Sequence, residues 1–165
     1  MSRTLVVFFA YAAVLLGGGV FAFMRAPAEA NRATALIVPG VAAALVAACA
    51  LLVWLGSRRA GIMKAGWTLG LVLAVVLGLM LGMTAGRRSV MAANYPEAKV
   101  AYDIAFAGRT DVPREERRAF FKERNSTDHD SAYLAQTLWV LTFASALAFF
   151  ALLVAKPTPG RPGVR

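Results

Sequence analysis

The chain has 165 residues, 59% of them hydrophobic and only 16% charged, which is too apolar for an ordinary soluble domain. Its formal charge of +9 comes mainly from arginine and in a soluble protein would suggest nucleic acid. Here the basic residues flank apolar runs, so anionic lipid headgroups are the nearer partner and nucleic acid is not expected.

The apolar residues collect in four runs, Thr4–Met24, Ala33–Gly56, Ile62–Gly86 and Ala132–Ala155. Each is near the ~20 residues a helix needs to cross a hydrocarbon core. Runs without alternation read as helices, which satisfy their own backbone amides in lipid. The pattern predicts an all-α integral membrane four-helix bundle with an extramembrane amphipathic helical segment between helices three and four. Residues 1–86 would hold three transmembrane helices (4–24, 33–56 and 62–86), 87–131 the extramembrane segment, 132–155 the fourth helix, and 156–165 a basic tail rich in Pro and Gly.

In the first run, Arg3 and a later Ala28-Glu29-Ala30 resemble the flanks of a secretory signal, but the apolar core is longer than a signal needs, so an uncleaved anchor is expected. Gly17, Gly18 and Gly19 sit mid-span, where each costs helix propensity and opens room on a different side, so packing against the third helix is their expected use. In the second run, Pro39-Gly40 removes a hydrogen bond to Ala35 and predicts a kink. Cys49 is the single cysteine, so no intramolecular disulfide can form. Trp54 ends this run and Trp67 begins the next, as in an interfacial aromatic belt.

The third run carries the most specific pattern: Gly66, Gly70, Ala74, Gly78, Gly82 and Gly86, a small residue at every fourth position. Small residues so spaced let helices approach closely in lipid. Each step of four drifts by ~40°, so the stripe winds about half way round the helix. That predicts a central helix gripped by at least two neighbours.

The segment beyond it is expected to contain a short helix over Glu97–Ala107 lying on the membrane or on a neighbour. A second should be capped by Thr110 or Asp111, with Pro113 in its first turn, and run to about Arg124. Its apolar face, including Phe120 and Phe121, is too small to bury without a partner surface. Arg87, Arg88, Phe120, Phe121, Trp54 and Trp67 are the expected contacts with partners or lipid. The tail from Lys156 to Arg165 is expected to be disordered on its own.

Four spans put both termini on one side of the membrane. Seven basic residues near the span ends on that side face nine on the other, a count too even to fix orientation, though the small excess points the long segment towards the cytoplasm. Arginine outnumbers lysine and Ala and Gly abound, a composition of GC-rich bacterial genomes, so a bacterial inner membrane is expected.

Nothing in the sequence resembles an active site. His129 is the lone histidine, which excludes bis-histidine haem and multi-histidine metal sites within this chain. Within Asp128-His129-Asp130 it reads as a solvated residue beside a helix cap supplied by Asp130 or Ser131. The spans lack Asp, Glu and Arg, which disfavours an ion-coupled pump.

Tyr11 with Gly17-Gly18-Gly19 and Phe21 or Phe23, then Gly40, then Gly82-Met83 followed by Arg87 and Met91-Ala92, resemble the transmembrane protein fourteen family of small membrane proteins. The resemblance covers about half the chain and implies passage of porphyrin-like or lipid-like molecules. The 45-residue segment before the fourth span departs from that family's pattern.

Two functional expectations follow. One is a non-catalytic subunit that stabilises or assembles a larger, energy-transducing membrane complex, with other membrane subunits as partners, no cofactor of its own and bound lipid. The other is a small transporter of a hydrophobic or porphyrin- or lipid-like molecule, with a cavity beside Pro39 and Gly17–Gly19.

Overall fold

A computed structural model describes residues 2–27, 32–109 and 111–157. The Ala28-Glu29-Ala30 stretch, the Thr110 cap and the tail from residue 158 onward lie outside the described residues. Those described form α1 (Arg3–Arg25), α2 (Arg32–Leu55), α3 (Ala60–Ala105), α4 (Arg114–Glu123) and α5 (Ala132–Val154), with one 3₁₀ turn at Gly56–Arg58 and no strand. Helices α1, α2, α3 and α5 are long and apolar enough to cross a membrane.

Ser2 caps α1, its Oγ accepting from the Leu5 N–H at 3.4 Å. Helix α1 packs against α2 and α5, and α3 packs against the same two. Phe8, Leu15, Val46, Leu141 and Leu152 are fully buried between them. Two polar links cross this apolar interior. Tyr11 donates to Ser145 Oγ at 2.7 Å, and Ser145 in turn donates to the Leu141 carbonyl at 2.8 Å. The Trp67 indole donates to the Leu152 carbonyl at 2.9 Å, so this tryptophan ties α3 to α5 as well as marking a helix end. Removing the first link by Tyr11→Phe leaves Ser145 satisfied through Leu141, so the expected cost is modest, about 0.5–1.5 kcal/mol in a detergent unfolding titration.

The small-residue stripe of α3 meets different helices along its length. A Cβ on Gly66 would lie 2.7 Å from Leu52 Cβ and 2.9 Å from Val53 N, both on α2. One on Gly70 would fall into the Phe8 ring of α1. Ala74 is buried, and Gly78 and Gly82 face Ser145 and Thr142 of α5 at 3.5 and 3.3 Å. Gly86, at the end of the stripe, has no neighbour within 4 Å of a Cβ position, and the same is true of Gly17 and Gly40. For Gly17 and Gly86 the expected packing role is corrected, since no described side chain or neighbouring helix closes on them; Gly40, expected only at the kink, is likewise open.

The expected break after the third span is also corrected. Helix α3 runs unbroken for 46 residues, through Pro96 and through residues 97–105 of the stretch expected to form a separate helix over 97–107. At 1.5 Å per residue it is ~69 Å long, more than twice the hydrocarbon thickness, so its last turns stand clear of any span. A proline inside a helix costs ~3 kcal/mol. Packing by α4 offsets it. Phe121 is 2% exposed and stacks on Tyr95 and Tyr102 at centroid distances of 6.1 and 5.3 Å. Phe120 meets Tyr102 and Phe106 edge-on at 5.5 and 5.4 Å. The aromatic face of α4 therefore has its partner surface within the same chain, on the outer half of α3.

Helix α4 starts at Arg114, two or three residues later than a cap at Thr110 or Asp111 would place it: Pro113 is its N-cap and not part of the first turn, and no side chain caps it among the described residues. Its end is more tightly specified. Asn125 adopts a left-handed φ of +48°, the Ser126 N–H donates to the Phe121 carbonyl at 2.9 Å, and the Asn125 N–H donates to the Lys122 carbonyl at 3.0 Å. This Schellman closure turns the chain back, and Ser126 Oγ then donates to the Met91 carbonyl of α3 at 3.3 Å. Residues 128–130 thereby lie near the end of α1, the start of α5 and Tyr95 within α3.

Candidate functional site

Two neighbouring cavities lie where this returning loop meets the helices. The inner one, about 310 Å³, is walled by α1, α2, α3 and α5. Gly18, Ala22, Val38, Pro39, Leu81, Leu134, Leu138 and Leu141 make its apolar part. Thr84, Arg88, His129, Tyr133 and Thr137 make its polar rim. Val38 on α2 and Thr84 on α3 are both exposed, so the cavity is open on the side between those helices.

The cavity owes its shape to three residues. Gly18 lets Leu141 of α5 approach to 2.7 Å of a Cβ position, and Gly19 seats Pro39 of α2 at 3.0 Å, so neither packs on α3, contrary to expectation. The Ala35 carbonyl, left without its i+4 donor by Pro39, faces Gly19 at 3.4 Å. Small residues on α1 thus hold α2 by its proline, and the space beside them is the cavity.

The outer cavity, about 410 Å³, is lined by Arg25, Pro27, Tyr95, Arg117, Asp128, His129, Asp130 and Tyr133. His129 and Tyr133 line both. His129 is half-buried, with Nδ1 2.8 Å from Asp128 Oδ1. Arg118 approaches the other Asp128 oxygen at 3.8 Å. Asp130 Oδ1 accepts from the Ala132 N–H at 2.8 Å and so caps α5. Arg117 Nη2 donates to the Asp128 carbonyl at 2.8 Å, while its Nε is buried and has no acceptor among the described residues. Nor does Arg88 form an ion pair among them.

The sequence places Arg88 among contact residues, and the structure puts it on the cavity rim; Arg87 beside it is exposed. Trp54 is exposed at the opposite end, against a third cavity shared with Arg3 and Lys156. His129 is not the solvated residue expected from its acidic neighbours. The convergence of Arg117, His129 and Tyr133 escapes a reading by segments, because α4 has to fold back before Arg117 reaches the loop. One signal was present. Leu81, Thr84 and Arg88 on one helix, and Tyr133, Thr137 and Leu141 on another, grade from polar to apolar at helical spacing.

Fold and site together define an all-helical chain, four of whose helices can span a membrane, with a cavity that is apolar within and polar at its mouth. Among the described residues no group of three or more His, Cys, Asp or Glu could hold a metal ion. Comparison with protein-family models, with curated proteins and with solved structures found no match.

Proposed function

We propose that this protein is a non-catalytic membrane carrier that takes up a lipid-like amphiphile between its helices. The long helices are read as a bundle in the order α1, α2, α3, α5, in a bacterial inner membrane, with both termini on one side. The observation that carries the reading is the graded cavity. Its apolar part opens between α2 and α3, where lipid would lie, and its polar mouth faces the extramembrane hairpin of α3 and α4. An amphiphile needs both environments in one enclosure, and 310 Å³ lies at the small end of ligand sites.

The test is movement of a fluorescent monoacylglycerol, a neutral single-chain amphiphile, across proteoliposomes. Transfer should exceed that of protein-free liposomes, and filling the opening with Val38→Trp plus Thr84→Phe should slow it about tenfold, equivalent to ~1.4 kcal/mol. Transfer no faster than in empty liposomes sinks the reading.

A second reading is supported by a different observation. Val100 and Ile104, on the part of α3 beyond a membrane's thickness, are 60% and 73% exposed. Such a surface outside lipid favours a subunit of a larger membrane assembly, plausible for an energy-transducing one. Migration as a lone chain with no co-purifying membrane protein in mild detergent would remove this alternative.

A further inference from the structure

We infer that the mouth of the cavity binds the phosphate of a lipid headgroup, so that the amphiphile carried is an anionic phospholipid with a small headgroup. The inference rests on the carrier reading and names the ligand class of the same site. Two guanidinium groups at the mouth have unused donors. Arg88 is half-buried on the rim of the inner cavity without an acidic partner among the described residues, and Arg117 lines the outer one, with Nη2 on the Asp128 carbonyl and a buried Nε–H that has no acceptor among the described residues. Two carboxylates stand there, Asp128 beside His129 and Arg118 and Asp130 on the Ala132 N–H, against the guanidinium groups of Arg25, Arg88, Arg117 and Arg118. Positive charge at the junction is therefore left for a ligand to neutralise.

The shape of the donor set favours phosphate over carboxylate. A planar carboxylate is satisfied by one guanidinium fork, whereas a tetrahedral phosphate offers its terminal oxygens, two in a diester and three in a monoester, to donors arriving from several directions. Here the donors come from α3 (Arg88), α4 (Arg117) and α5 (the Tyr133 hydroxyl). Tyr133 bounds both cavities, so a phosphate beside it lies between the two arginines, with its chain directed into the apolar space below. Basic pockets between membrane helices hold phospholipid headgroups for the same reason.

The experiment compares three probes on the full chain in a neutral sugar detergent, by native mass spectrometry with titration. Lysophosphatidic acid and monoacylglycerol of the same chain differ only in the phosphate, and glycerol 3-phosphate carries the phosphate without the chain. Lysophosphatidic acid should bind about tenfold or more tightly than monoacylglycerol, the scale of one charge-assisted contact. Arg88→Gln and Arg117→Gln should each shrink that preference towards parity, and Arg88→Lys should keep part of it, with the melting midpoint checking that each variant folds. Equal binding of the two acyl probes overturns the headgroup inference and leaves the carrier reading standing. Binding of neither overturns both. Glycerol 3-phosphate bound as tightly as lysophosphatidic acid assigns the mouth to a soluble phosphate and overturns the lipid source.

Discussion

Gly66→Ala should destabilise the protein by about 1–3 kcal/mol, while Gly86→Ala, in the same every-fourth stripe, should be neutral or stabilise by up to ~1 kcal/mol. At position 66 the added methyl would lie 2.7 Å from Leu52 Cβ, 2.9 Å from the Val53 nitrogen and 3.0 Å from the Cys49 carbonyl oxygen. Two of those atoms are backbone, so relief requires α2 and α3 to separate rather than a side chain to turn. At position 86 nothing lies within 4 Å, and only the propensity gain of alanine remains. Thermal melting in detergent, or loss of helicity against added SDS, measures both. Equal effects would mean that the stripe acts through something other than close approach to α2.

Phe121→Ala should cost about 3–5 kcal/mol, the range for a buried aromatic, but the loss should be local. Phe121 is the one side chain of α4 that is fully buried, and its carbonyl also receives the Ser126 N–H that closes the helix. Without the ring, α4 loses its stacking on Tyr95 and Tyr102, and Pro96 loses the packing that offsets its cost. Hydrogen exchange should rise over residues 114–131 and the outer part of α3, while α1, α2 and the inner half of α3 keep their protection. Uniform loss across all helices would refute the separation of hairpin and spans. The same variant should weaken lysophosphatidic acid binding, because Arg117 reaches the mouth only through α4.

The four long helices were legible because length and apolar content alone specify a span, and those are one-dimensional properties. Their ends were less so. The third run loses its hydrophobic excess at Arg87-Arg88, which reads as a stop, but charge ends a span without ending a helix, and Ala92, Ala93, Ala98 and Ala101 keep helix propensity high. Pro96 points to a break that α4 prevents from 25 residues downstream in the sequence. The stripe of small residues was visible in full, yet spacing cannot tell that Gly66 faces a backbone and Gly86 faces nothing. That depends on where α2 and α5 lie. The cavity beside Pro39 and Gly18–Gly19 could be anticipated from the small residues; its mouth could not, since Arg88, Arg117 and His129 come together only through the left-handed turn at Asn125.

The unbroken α3 makes one rigid rod of what would otherwise be a span and a separate surface helix. Its outer arm, from Arg87 to Ala105, is ~28 Å long, so a tilt of ~10° about the membrane surface sweeps the far tip through ~5 Å. Arg88 sits on the rod itself and α4, fastened to the arm by its aromatic rings, carries Arg117 along, so the two guanidinium groups tilt as one body. Their distance from Tyr133 on α5 is therefore geared to the angle of a single helix.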